Sequence, residues 1–415
     1  MKSYDLADVL CGVLPVGCAE PHVHGFVEHL ENSGYSILTT REYVRSAGHF
    51  GRWLDERERR IEDLRLEDVE EFARHLCACP GASRPGRAPS RRYVRRVRRF
   101  VGHLLEIGVV SVPPDPPAPR VPAVLVGFRD WMIRHRGVRG RTVDRYERLV
   151  VKMLPGLGYE PAAYDAAAVR RVLLDEVRGL GLAYAQTFVT AFRAFLRFLA
   201  TEGRCRPHLD RAVPTIPQWT LSSLSHHLPA EEVERIIASC DLEQPHGVRD
   251  CAILLLLARL GLRAGDIVEM WLGDIDWATG TLRVRGKARR ETTLPLPQDA
   301  GDALLRYLVD VRPGADTDHV FLCAQAPIRP FATSAAVSSL VMLALQRAGT
   351  ADTPSRGAHL LRHSAAVSML QSGVSIEVIS TVLRHSSSDM TAYYAKVDVA
   401  LLQTVAQPWP EGAPC

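Results

Sequence analysis

The amino-acid sequence predicts a mainly α fold with one small β-hairpin: two helical bundles followed by a larger mixed α/β segment. Three observations lead there. Apolar residues recur at helical spacing through most of the 415 residues. Alternating residues flank a glycine- and base-rich turn, Arg285-Gly-Lys-Ala-Arg-Arg290. Two proline-containing stretches, 112–122 and 206–228, interrupt the periodicity and read as linkers. They delimit segments 1–111, 123–205 and 229–400, with a tail at 401–415.

At about 100–200 residues per domain, this length suits two to four domains. A hydrophobic content of 47% with 24% charged residues is that of a globular protein able to bury several cores. The net charge of +4 is too small to indicate a partner, but its distribution is uneven. Between Arg84 and Arg99 stand eight arginines and no acidic residue. The nine cysteines are odd in number and contain no CxxC pair. That argues against a disulfide framework or a structural zinc site and fits a reducing, cytoplasmic setting. No basic stretch leads into a long apolar run at the N-terminus, so no signal peptide is expected. The longest apolar run, Ala252 to Ala258, is too short to cross a bilayer, so no membrane partner is expected.

The first two segments read as small helical bundles and look like weak copies of one another. Phe26, Leu30, Thr40 and Tyr43 in the first correspond to Phe128, Met132, Thr142 and Tyr146 in the second. The first closes on Phe100, Leu104 and Gly108, the second on Phe195, Leu199 and Gly203. The stretch from Ser90 to Leu105 predicts a two-faced helix. At about 100° per residue, Arg91, Arg92, Arg95, Arg96, Arg98 and Arg99 fall within about 160° of one another. Tyr93, Val94, Val97, Phe100, Val101 and Leu104 fill the opposite arc. A solvated helix face usually mixes charge signs, and six arginines without an acid point instead to DNA phosphates. In the third segment, 230–239 and 249–260 read as helices. Residues 280–286 and 292–296 read as a hairpin, and helical periodicity returns at 301–311, 335–348 and from His359 to Leu402.

Six residues of this segment carry chemistry: Arg263, Lys287, His359, Arg362, His385 and Tyr394. Attack on a phosphodiester builds charge on its non-bridging oxygens, and two arginines can each offer them a planar fork of donors. A tyrosine can attack and store the bond as a phosphotyrosine ester. Its pKa of about 10 calls for cationic neighbours or a base. The leaving oxygen needs a proton, and Lys287 at a hairpin tip can supply one. Taken singly these signals are weak. Arg263 alone could be an ordinary helix-start arginine, and a lysine on a turn is usually just solvated. His359 and Arg362 are stronger, because i, i+3 neighbours on a helix share a face. A metal there would need more ligands, and Arg362 would oppose it. Asp266, three residues after Arg263, is placed to hold its guanidinium. Tyr393 competes with Tyr394 as nucleophile, and the two point about 100° apart on a helix.

Together these contexts resemble the tyrosine recombinase (phage integrase) family over about 229–400. Arg263 in Leu260-Gly-Leu-Arg263 matches its first arginine, Lys287 its hairpin lysine, and His359 with Arg362 its His-x-x-Arg pair. His385 matches the next position, a His or Trp, and Tyr394, nine residues on, the nucleophile. Two positions depart from the family pattern. Asp266 replaces the more frequent Glu, and Arg384 stands where Gly often precedes the histidine, which adds charge and alters a turn. The resemblance implies SAM-like helical N-terminal domains, with segment two as the core-binding domain of a clamp around double-stranded DNA. Arg139, Arg141, Arg145, Arg193 and Arg197 are then candidate phosphate contacts. It also implies a site-specific recombinase working as a homo-tetramer on specific recombination sites, with related recombinases as further partners. Neither ATP nor metal is called for. Leu401, Leu402 and Val405 in the tail are candidate anchors on a neighbouring subunit. An N-terminal domain beyond the minimal recombinase favours a mobile element. Two alternatives remain open: a catalytically silent DNA-binding partner subunit, and a type IB topoisomerase-like nicking-closing enzyme.

Overall fold

The computed structural model describes residues 9–10, 17–77, 86–110, 123–138, 140–217, 226–285, 291–350, 353 and 357–385. They belong to two compact units. One joins 1–111 with 220–415, and the other is 112–219.

The N-terminal bundle holds α1 (Glu20–Asn32), α2 (Ile37–Asp55), α3 (Leu66–Arg74) and α4 (Arg91–Glu106). Local signals set the helix starts. The Ser36 and Ser90 hydroxyls accept the N–H groups of Thr39 and Tyr93, satisfying donors that a helix leaves unpaired at its first turn. Phe26, Phe50, Trp53, Phe72 and Phe100 are fully buried in one aromatic core. Phe26 and Phe100 meet edge to face, at 5.0 Å between ring centroids.

The unit 112–219 repeats this plan with α5 (Ala123–Arg134), α6 (Gly140–Leu157), α7 (Ala166–Val177) and α8 (Leu182–Thr201). A 3-10 turn separates the second and third helices in both bundles, at Ile61–Asp63 and Pro161–Ala163. Phe128, Phe195 and Leu199 take the buried places of Phe26, Phe100 and Leu104. Gly108 and Gly203 both have positive φ just beyond the last helix. One pair of the sequence correspondence differs in environment: Thr40 is buried and Thr142 is exposed.

The C-terminal segment is built around α10 (Pro245–Leu260), preceded by α9 (Ala230–Ala238). The run from Ala252 to Ala258 is apolar all round because α10 is buried on every side. The short α11 (Ala264–Val268) leads to a three-stranded antiparallel sheet of β1 (Ile275–Asp276), β2 (Thr281–Arg285) and β3 (Glu291–Pro295). In its register Leu282 lies opposite both Ile275 and Leu294, so the apolar residues share the inner face. The two-residue β1 was not foreseen in the sequence. Then follow α12 (Gln298–Arg306), which runs into a π-helical turn to Val311, α13 (Ser334–Arg347), α14 (Ala358–Gln371) and α15 (Ile376–Val382). The N-terminal bundle touches this segment directly, where the Ile328 N–H donates to the Ser33 carbonyl at 3.0 Å. Among the described residues no helix is long and apolar enough to cross a membrane.

Candidate active site

The site starts at the end of α10. Gly261 terminates the helix with φ +57°, and a Cβ there would lie 2.5 Å from Leu383 Cδ2. Both the left-handed backbone and the close approach require glycine. The chain turns at once into α11, whose N-cap is Arg263. The Asp266 carboxylate accepts the Arg263 backbone N–H at 2.7 Å and so fixes the backbone that carries the arginine. Arg263 Nη2 donates to the carbonyls of Arg384 at 2.8 Å and Leu383 at 3.3 Å. Arg362, on α14 and only 4% exposed, donates to the carbonyls of Gly261 and Leu383. Two arginines distant in sequence therefore meet at one carbonyl just past α15. Carbonyl contacts orient a guanidinium, which carries five N–H donors, without changing its charge.

Arg384 adopts φ +55°, a conformation that L side chains rarely take. The turn favoured by glycine is therefore kept without glycine. Its guanidinium pairs with Asp266, and both side chains are 8% exposed. The added charge is thus set against a buried carboxylate. Asp266 was expected to hold the Arg263 guanidinium; it holds the Arg263 backbone and the Arg384 guanidinium. Arg384 Nε and Nη1 are buried without a hydrogen-bond partner.

Three histidines gather around the arginines. Burial, then the charges of Arg362 and Arg263 and the neighbouring His363, push the His385 pKa down to about 4. His363 is also pushed down to about 4, by burial first and then by His359, Arg362, His226 and His227. Both imidazoles are neutral at pH 7 and can donate or accept a proton. His359, in the first turn of α14, is exposed. His363 was not among the site residues read from the sequence, although it follows Arg362 directly. His226 and His227 lie in a stretch read as linker. The Ser364 hydroxyl draws its end onto α14 by accepting the Leu228 N–H at 2.8 Å.

Lys287, Tyr394 and the competing Tyr393 lie outside the described residues, as does Arg139. The base of the hairpin that carries Lys287 is well fixed. The Asp274 carboxylate, 2% exposed, accepts from Arg283 Nε at 3.2 Å and Arg285 Nη2 at 2.9 Å.

The arginines proposed to meet DNA divide by environment. On α4, Arg91, Arg92 and Arg95 are exposed. Arg96 pairs with Glu42 of α2 at 2.9 Å, Arg98 pairs with Glu70 of α3, and Arg99 donates to the Ser33 hydroxyl. The acids that balance part of this face come from other helices, so the sequence of α4 alone cannot show them. In the 112–219 unit, Arg141 and Arg145 line an open polar groove with Thr142, Gln186, Thr187 and Thr190. Arg193 is engaged by Val213 and Thr215, and Arg197 pairs with Asp210 at 2.8 Å.

The sequence model of the "Phage integrase family" matches residues 226–400. The integrase/recombinase y4rA of Sinorhizobium fredii strain NGR234 is 35% identical over 416 residues, covering 99% of both chains. Among solved structures, the XerH site-specific recombinase bound to a palindromic difH substrate, in a post-cleavage complex, has a TM-score of 0.55 at 19% identity. The match covers 65% of this chain and 80% of that one. A lambda integrase tetramer bound to a Holliday junction has a TM-score of 0.51 at 17% identity, covering 74% of this chain and 88% of that one. The structural likeness establishes the fold. With sequence identity sustained along its whole length and the family segment spanning every residue that meets at Leu383, the chain belongs to the phage integrase family of tyrosine recombinases.

Proposed function

We propose that this chain is a site-specific DNA recombinase that cleaves and rejoins strands through a 3′-phosphotyrosyl intermediate. The observation that carries the reading is the convergence of Arg263, Arg362 and His385 on the Leu383–Arg384 turn, a largely buried and positively charged site suited to one phosphate. Burial strengthens each charge-assisted hydrogen bond made there. In this reading Arg263 and Arg362 bind the scissile phosphate with help from His385. Tyr394 attacks phosphorus, the P–O5′ bond breaks, and Lys287 donates the proton that leaves a 5′-hydroxyl. His359 assists proton transfer at the tyrosine. Asp266 acts as a positioning residue through the Arg263 backbone. Because the ester keeps the bond energy, a 5′-hydroxyl from a second duplex can reverse the step and join the strands.

DNA would be gripped by Arg91, Arg92 and Arg95, exposed on α4, and by the Arg141–Arg145 groove. Arg96, Arg98, Arg99, Arg139, Arg193 and Arg197 are secondary candidates. Segments 1–111 and 123–205 serve as the DNA-binding domains, 229–400 as the catalytic domain, and 401–415 as a tail that docks on a neighbouring subunit. The lambda integrase tetramer on a Holliday junction supports assembly of four copies on DNA, and the integrase name of the Sinorhizobium relative supports service to a mobile element.

The test is a nicked suicide substrate made from DNA flanking the gene. The wild-type protein should form a covalent DNA complex that denaturant does not dissociate. Tyr394→Phe should abolish it, and Tyr393→Phe should leave it in place. The reverse pattern would move the nucleophile to Tyr393, and a complex surviving both substitutions would reject the mechanism.

A further inference from the structure

The N-terminal bundle contains a group of side chains that recombination chemistry does not use. His49 on α2, His75 at the end of α3 and Cys77 two residues later come together, each offering one ligand atom, with those atoms within 4.8 Å of one another. All three are removed from bulk water, with Cys77 buried and both histidines partly so. Phe72 and Tyr93 pack edge to face on His49, at centroid distances of 5.2 and 5.6 Å.

The hydrogen bonds around the rings determine which nitrogens are available. His75 Nδ1 meets the Phe72 carbonyl, which can only accept, so Nδ1 carries the proton and Nε2 a lone pair. The Tyr93 hydroxyl donates to the Arg45 carbonyl and can therefore accept from His49 Nδ1, at 3.1 Å. That leaves the His49 Nε2 lone pair facing Cys77 Sγ, 3.3 Å away. His75 Nε2 is buried and has no hydrogen-bond partner. An unpaired buried acceptor loses its hydration without compensation, so it marks a position where a group is missing. A hydrogen bond from one ring nitrogen to a carbonyl or hydroxyl, with the other nitrogen aimed inward, is the usual support of a metal-binding histidine. Cys77 is held from both sides, since its N–H donates to the Arg87 carbonyl and its carbonyl accepts from Gly86.

We propose that His49, His75 and Cys77 bind a structural zinc ion that ties α2 to the end of α3. Two imidazoles and a thiolate are a borderline-soft set suited to tetrahedral zinc, with Zn–N of about 2.0–2.1 Å and Zn–S of about 2.3 Å. Such bonds put neighbouring ligand atoms about 3.3–3.6 Å apart, close to the spacing of Nε2 and Sγ. The fourth position falls to water. Binding replaces the Cys77 S–H with a Zn–S bond and releases that proton to solvent. The sequence, with no CxxC pair, argues against a structural zinc site. Here one ligand comes from a helix far from the other two.

The test uses the full-length, tag-free protein prepared without chelators. Metal analysis should find one zinc per chain, and Cys77→Ser and His75→Gln should lose it. Cobalt substitution gives a readout on the folded wild type. A tetrahedral cobalt spectrum with a thiolate charge-transfer band is expected, and Cys77→Ser should remove the band. Tyr93→Phe, which removes the hydroxyl that orients His49, should weaken zinc binding about 10–100-fold. A wild type holding no more zinc than Cys77→Ser, or a cobalt complex without the charge-transfer band, would overturn the proposal. So would zinc that survives Cys77→Ser but is lost in His103→Gln, which alters a separate His29–His103–Glu106 group. None of these readouts depends on strand cleavage.

Discussion

At the residue scale, Arg384 concentrates two opposing effects. Its left-handed backbone disfavours any side chain, yet its guanidinium is the partner of the buried Asp266 carboxylate. Removing one member of such a pair costs about 3–5 kcal/mol because the other charge stays buried and uncompensated. Arg384→Gly and Arg384→Ala should therefore both lower the melting temperature. Glycine also relieves the φ strain, so the Ala variant should be less stable than the Gly variant by about 1 kcal/mol, measured by denaturant unfolding. Equal stability of the two would show that the backbone is unstrained at this position. The sequence identified Arg384 as a departure from the family pattern, but its partner lies more than a hundred positions earlier in the chain. Only the fold shows that the extra charge is balanced. His363 was overlooked for a related reason: a histidine after Arg362 acquires meaning from the neighbours packed around it.

At the element scale, α4 shows how far a helical wheel reaches. Its span and its buried face, Val94, Val97, Phe100, Val101 and Leu104, were legible because period and polarity are local properties. The charge balance of its outer face was not, because Glu42 and Glu70 reach it from α2 and α3. If the exposed arginines contact DNA, replacing Arg91, Arg92 and Arg95 together by Gln should weaken binding. The slope of log affinity against log salt should flatten by up to about 2.7, at about 0.9 for each phosphate no longer neutralised. Arg96→Gln and Arg98→Gln should each change the slope much less. A salt titration of wild type and variants on one duplex reads both, and an unchanged slope in the triple variant would exclude α4 from the DNA face.

For the whole molecule, half-buried or buried histidines recur in both parts of the larger unit. His363 and His385 lie at the candidate active site, and His49, His29 and His103 in the N-terminal bundle, all with lowered pKa values led by burial. Each unfolded ring takes up a proton near pH 6.5, whereas folded His363 and His385 wait until about pH 4. The unfolded chain thus binds more protons in between, and stability falls as pH drops through that window. Melting midpoints should be level above about pH 7, decline between pH 6.5 and 4, and decline less in His363→Gln. A flat profile would mean that these rings are solvated. What the sequence determined by itself was the class of fold, the span of α4, most elements of the third segment and the family, because periodicity, turn chemistry and motif order are written along the chain. The tertiary structure alone decided which charges are balanced, that Arg263 and Arg362 share the Leu383 carbonyl, and that His49 faces His75 and Cys77. Coulomb energy and hydrogen bonding depend on distance in space, and packing sets those distances independently of separation along the chain.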